Sequence, residues 1–335
     1  MKLSTARSLS LVALMAALPA TTALSQDKEP LKVAAISGYF SQGFGISIVE
    51  GLNRAVDELG VELKIVDTGN RALDYEEQFN NLAEDGEYDL IFVMGWELVD
   101  ALTKTSDSHP DQRFIFIDGV LESENMTYID FLEEEGSFLV GALAAELAGG
   151  KVDGFDSSTE VGFIGGRDIP VIQNFRMGMQ QGIEYVDNGT ELAAVFAGTF
   201  DDPAKGAELA MTLFDQGMPI VYQAAGPTGE GVLQAAAQSD GFAVGVDIDQ
   251  CPSAPGHMLA SMLKRADIAV YDLIEGQLAG NPVVPGTVRV GVATGGVELK
   301  ICDDIADKIP ASVIDAMEKV RSGIADGSIK VELGQ

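Results

Sequence analysis

Residues 191–249, ELAAVFAGTFDDPAKGAELAMTLFDQGMPIVYQAAGPTGEGVLQAAAQSDGFAVGVDID, decide the fold class. Three short apolar runs, 191–198, 219–226 and 242–249, alternate with two stretches, 204–217 and 229–241, whose apolar residues recur at spacings of three and four. That is a strand–helix–strand–helix–strand rhythm, and consecutive units of this kind imply a parallel sheet covered by helices on both faces.

The same rhythm extends to both sides. Further strands are predicted over 31–37, 61–67, 89–95, 113–119 and 160–166, with helices over 47–60 and 136–150. Eight strands exceed what one small sheet needs, and the rhythm restarts after the helix ending at Gly149 and Gly150. The reading is a type α/β chain of two doubly wound parallel-sheet lobes joined by short crossovers. In such sheets ligands bind beyond the carboxyl ends of the strands, so the residues closing each strand are the candidates for function.

Ahead of the body, residues 1–25 carry Lys2 and Arg7, an apolar stretch from Leu9 to Leu18, and the small-residue end Ala23-Leu24-Ser25. This reads as a cleavable signal peptide, too short for a membrane anchor and without a cysteine for lipidation. It predicts a soluble, exported, periplasmic protein. Removing it takes two bases and no acid, so the formal charge moves from −31 to −33. With 52 acidic against 21 basic residues, the chain lacks the attraction that drives binding to nucleic acid or anionic lipid.

Catalytic signatures are sparse. His109 and His257 are the only histidines and show no metal-ligand spacing. There is no nucleophile elbow, and the glycine cluster at 226–231 lacks the dinucleotide order, so neither a cofactor nor a metal is expected. Glycines after a strand do allow backbone amides at the next helix start to approach a ligand. Cys251 and Cys302 can form a disulfide in an oxidising compartment, but spacing alone leaves the pairing open.

Several segments, GSFLVGALAAELAGG, VGFIGGRDIPVIQNFRMGMQQGIEY, QAAGPTGEGVLQAA, GVDIDQ and SMLKRADIAVYD, occur in this order within residues 31–335. Together they resemble the basic membrane protein family of ABC-transporter substrate-binding proteins, the purine nucleoside receptor type. The resemblance implies a type I periplasmic-binding fold of two lobes with three crossovers, divided as 31–130 plus 249–292 and 131–248 plus 293–335. It implies a monomer that takes a nucleoside-like ligand into the interlobe cleft and delivers it to a permease in the inner membrane.

Site residues follow by matching positions. Phe44 and Phe200 stand where nucleoside-binding members have two rings around the base. Asp118 matches the acid closing the fourth strand, Gly226 a ligand-contacting glycine, Asp247 the first acid of GVDxDQ, and Lys264 the lysine of SMxKR. A carboxylate accepts from two ribose hydroxyls and an ammonium donates back, so the set suits a sugar. Ser37, or Ala35 without a gap, replaces an aspartate that reads the purine edge, and Gly45 replaces an asparagine. Trp96 stands where a phenylalanine is usual, as cleft wall or as packing, and Arg167 follows a strand either facing the cleft or paired with Asp168. The loss of the first-strand acid keeps open a different solute, a sugar or furanosyl signal, for uptake or sensing. An exported nucleoside hydrolase is a more distant alternative, because VAAISGYF has no carboxylate for a metal.

Overall fold

The computed structural model describes residues 29–69, 75–84, 86–121, 123, 126–149, 152 and 154–333. The expected signal peptide lies outside them. Residues from Leu31 onward form one compact unit containing two sheets.

The first sheet contains β1 (Lys32–Ser37), β2 (Glu62–Asp67), β3 (Leu90–Met94), β4 (Phe114–Ile117), β5 (Thr127–Phe131) and β11 (Gly286–Val290). Its order is β11-β5-β4-β3-β1-β2, and every pairing is parallel. The second contains β6 (Glu160–Gly165), β7 (Glu191–Phe196), β8 (Ile220–Ala224), β9 (Phe242–Asp247), β10 (Met258–Lys264) and β12 (Val297–Ile301). Its order, β12-β10-β9-β8-β6-β7, repeats that of the first sheet, with β12 antiparallel to β10. In each sheet the chain order reverses beside the first strand, between β1 and β3 and between β6 and β8, which opens a crevice at the carboxyl ends there.

The central strands are apolar because both faces are covered; β3 and β4 are buried at every residue. Helices α1 (Phe44–Leu59), α2 (Tyr75–Ala83) and α3 (Val99–Ser108) follow strands of the first sheet. Helices α4 (Glu133–Ala148), α5 (Pro170–Val186), α6 (Pro203–Asp215) and α7 (Pro227–Ala236) belong with the second. Helix α4 is buried on almost every face, as its nearly continuous apolar sequence requires. It lies so close to α5 that a Cβ at Gly141 or Gly182 would fall 2.0 Å from a carbonyl oxygen of the partner helix. Helix α8 (Ala266–Leu278) returns to pack on α1, and α9 (Asp303–Ala306) and α10 (Ala311–Ala325) finish the chain, α10 against α4.

The chain passes between sheets at 131–133, 264–266 and 290–297. β10, expected within the first lobe at 249–292, is hydrogen-bonded between β9 and β12 in the second sheet. All eight strands expected from the sequence are present with ends within two residues, and β5, β10, β11 and β12 are additional.

Candidate functional site

Two aspartates occupy equivalent places in the two sheets. Asp118 follows β4 and Asp247 ends β9, and both adopt the left-handed backbone, with φ of 79° and 68°. Few non-glycine residues tolerate that conformation, and Asp is among those that do. Each turn carries the carboxylate past the sheet edge instead of continuing the strand.

Between them stands Lys264, the last residue of β10, which is 1% exposed. Its ammonium pairs with the Asp118 carboxylate and lies 3.1 Å from Glu133 Oε1 at the start of α4. It also lies 4.5, 5.1 and 5.5 Å from the ring centroids of Phe44, Phe131 and Phe175, within cation–π range. These rings come from α1, β5 and α5, so one ammonium gathers groups from both lobes.

Three carboxylates share that single cation. Burial alone would lower the Lys264 pKa, but Asp118, Glu133 and Asp247 outweigh it and hold the ammonium charged above its ordinary range. Burial pushes Asp247 up to about 6, with Lys264 opposing and Asp118 reinforcing the rise. Burial likewise raises Glu133 well above the usual carboxylate range. The cluster therefore sets carboxylate acceptors and one ammonium donor in a place where solvent is largely excluded, which suits a ligand carrying several hydroxyl groups.

Gly226 is the N-cap of α7, with φ 55°, and lines a cavity of about 430 Å³ together with Asp247. The opposite wall is the loop Ser41–Gly43 and Ile46 of the first lobe. That volume falls in the range of small-molecule pockets. Phe200, between β7 and α6, packs against glycines: a Cβ at Gly166 would lie 2.2 Å from its ring, and one at Gly226 3.7 Å. Arg167 places its guanidinium 5.7 Å from the Phe200 centroid. The Arg167 charge also acts on Glu97 and Tyr39 of the first lobe; burial raises both of those groups, and the guanidinium opposes the rise.

Phe44, Asp118 and Lys264 are thus in direct contact, Asp247 acts on Lys264 through its charge, and Gly226 and Phe200 join through the cavity wall. Phe44 is partly buried and meets Phe131 edge to face at 5.6 Å. Ser37 is fully buried; its Oγ accepts from the Tyr39 N–H at 3.0 Å and lies 3.6 Å from Met94 Sδ. Trp96, 39% exposed, stands edge to face on Phe116 at 5.7 Å and covers Gly119, next to Asp118. Among the described residues no contact joins Ser37 to the Lys264 group.

Sequence reasoning missed Glu133. Acids in a first helical turn usually signal favourable charge at a helix start, yet Glu133 and Glu134 are buried. The signal available was their position directly before an apolar run that has no polar face. Cys251 and Cys302, left open by the sequence, form a disulfide with Cα atoms 5.5 Å apart. It ties the loop after β9 to the residue preceding α9.

The profile of the family described as "ABC transporter substrate-binding protein PnrA-like" matches residues 33–332. A similar protein is the "ABC transporter nucleoside-binding protein BmpA" of Lactococcus lactis subsp. cremoris, 29% identical over 284 residues, 78% of this chain and 76% of that one. Basic membrane protein D of Borreliella burgdorferi is 27% identical over 291 residues, covering 84% and 82% of the two chains. An uncharacterised lipoprotein of Pyrococcus abyssi is 33% identical over 263 residues, covering 74% of this chain and 61% of the relative. Among solved structures, an ABC transporter solute-binding protein from Aeropyrum pernix superposes with a TM-score of 0.78 at 26% identity, covering 91% and 94%. Family profile, sequence relatives and fold agree with the two-lobed architecture: the chain belongs to the PnrA-like family of ABC transporter substrate-binding proteins.

Proposed function

We propose that this substrate-binding protein takes a nucleoside into the interlobe cleft. The observation that carries this reading is the group Asp118, Lys264 and Asp247, drawn from both sheets and coupled through one buried ammonium. Two carboxylates and an ammonium complement the vicinal hydroxyls of a ribose, each acid accepting and the lysine donating. Phe44 and Phe200, one from each lobe, supply flat apolar surface for a heterocycle. The name of the Lactococcus relative points the same way. Ligand-driven closure is read as a rotation about the three crossings, with its free energy coming from contacts made only when the lobes meet.

Export by a cleaved, non-lipidated signal and delivery by the monomer to an inner-membrane permease belong to the same proposal. Relatives described as lipoproteins give the lipidation question a direct test: the mass of the mature N-terminus.

A second reading, a sugar or furanosyl solute, is favoured by one observation. The residue ending β1 is Ser37, whose hydroxyl is taken by the Tyr39 amide, so no carboxylate stands there to read a base edge. Thermal shift with adenosine, guanosine, inosine, cytidine and uridine against ribose, glucose and galactose separates the two. A ligand at 100 times its Kd should stabilise the protein by about 2.7 kcal/mol. Shifts with nucleosides and none with free sugars support the proposal; shifts confined to sugars reject it.

A further inference from the structure

The loop that carries Asp247 is held by a chain of side-chain amides separate from the Lys264 group. Gln223, in β8, is fully buried. Its Oε1 accepts from the Ala225 N–H at 3.0 Å, and its Nε2 donates to Gln250 Oε1 at 2.9 Å. Gln250 Oε1 also accepts from the Val246 N–H at 2.9 Å, and the Gln250 N–H donates to Ser261 Oγ at 3.0 Å. The relay thus runs from the residue before Gly226 to the residue before Asp247. Gly226 and Asp247 are the positions of the second lobe at which the backbone turns left-handed in the cavity wall.

The surrounding sequence leaves space for these amides. A Cβ at Gly229 would fall 1.9 Å from Gln223 Oε1, and one at Gly245 2.7 Å from Gln250 Oε1. Both glycines therefore keep room for the relay. Because Gln250 Oε1 receives two donors, its amide has one orientation, and the loop from Asp247 to Gln250 has one path.

We propose that Gln223 and Gln250 are positioning residues of the binding site, fixing the left-handed turns at Gly226 and Asp247 before ligand arrives. The proposal rests on the nucleoside reading only for its affinity arm. Preorganisation of this kind strengthens binding by removing ordering that the ligand would otherwise have to drive.

The test uses the full mature chain and the variants Gln250→Leu and Asp247→Ala, singly and together. Hydrogen exchange of the ligand-free protein should show Gln250→Leu losing protection in peptides over 220–227 and 242–250, with the first sheet unchanged. Titration with the tightest-binding nucleoside of the panel should show Gln250→Leu weakened by about tenfold or more. In the Asp247→Ala background the same substitution should add less than about threefold, because contacting groups are non-additive when one acts through the other. Unchanged exchange at the strand ends overturns the proposal. So does a full additive loss of affinity, which would mean that Gln250 acts through general stability. If no nucleoside binds the wild type, the ligand reading fails and the exchange arm alone decides the relay. Should Gln250→Leu not accumulate, Gln223→Met deletes both the donor to Gln250 and the acceptor of the Ala225 N–H while keeping the stem, and carries the same expectation.

Discussion

Asp118 and Asp247 are the same residue type at the same place in two sheets of the same order, yet they are held in different ways. Around Asp247 the second lobe supplies its own scaffold: the Gln223–Gln250 amides, the Lys300–Asp249 ion pair and the Cys251–Cys302 disulfide all brace the loop after β9. Around Asp118 the carboxylate is met by Lys264, which comes from the other sheet. Trp96 packs against neighbouring Gly119. One aspartate is preorganised within its lobe and the other is set by the junction of the lobes. The difference suits a clamp in which one jaw is rigid and the other depends on how the lobes meet.

The largest effect should come from removing the shared cation. Lys264→Met leaves Asp118, Glu133 and Asp247 without a counter-charge, a loss of about 3–5 kcal/mol for breaking a buried pair. Chemical unfolding should show the loss greater at pH 8 than at pH 5, since protonated carboxylates need no partner. An equal loss at both pH values would mean that the lysine acts through packing.

Reducing the disulfide, or replacing both cysteines by alanine, should destabilise the second lobe. Its partners are 51 residues apart in sequence, so the chain-entropy estimate is about 4 kcal/mol, with smaller values common. Pulsed proteolysis should find the new sensitivity around 248–256 and not around Asp118. Cleavage near Asp118 would erase the distinction between the two ends.

A smaller effect of opposite sign is expected from Asp247→Asn. Burial raises this carboxylate to about 6 from 3.8, so the folded state binds more protons than the unfolded state between those values. Stability conferred by the protonated form is then present at low pH and lost as pH rises from about 4 to about 6. Asn removes that loss, so the ligand-free variant should be more stable than wild type at pH 8, by ~1–3 kcal/mol, and nearly equal at pH 4. Its nucleoside affinity should nevertheless fall. A variant less stable at pH 8 would show that the carboxylate is paired and not strained.

Trp96→Phe should change least. An edge-to-face contact and a partly exposed ring leave about 0.5–1.5 kcal/mol at stake. The variant also tests whether the intrinsic fluorescence of the only tryptophan reports binding. A ligand-induced signal that survives the substitution does not come from this side.

The readable central strands join β-forming residues to burial on both faces, and two of the missed strands lack one or the other. In LKVAAIS and DLIFVMG the apolar stretches 33–36 and 90–94 are buried throughout, with Val33, Ile36, Ile91, Phe92 and Val93 as β formers, so composition and environment agree. MLASMLK, which forms β10, has no β-branched residue and consists largely of helix formers; its strand state is imposed by β9 and β12 on either side. GTVRV, forming β11, alternates polar and apolar residues but is a five-residue exposed edge. Misplacing β10 is also what put the second lobe crossing too early. At the site, Asp118, Asp247 and Lys264 were legible because each closes a strand or matches a family motif. Glu133, Gln223 and Gln250 were not, because their contacts span 131 residues to Lys264 in the first case and 27 residues between the two glutamines, which no local pattern encodes.

The central claim is that Asp118, Asp247 and Lys264 grip the hydroxyls of a ribose. Calorimetric titration of the tightest-binding nucleoside and its 2′,3′-dideoxy analogue tests it directly. Leaving buried, charged partners unsatisfied costs about 1–3 kcal/mol for each lost hydroxyl, so the dideoxy compound should bind on the order of 100-fold or more weakly. Equal affinities for the two compounds would contradict the account.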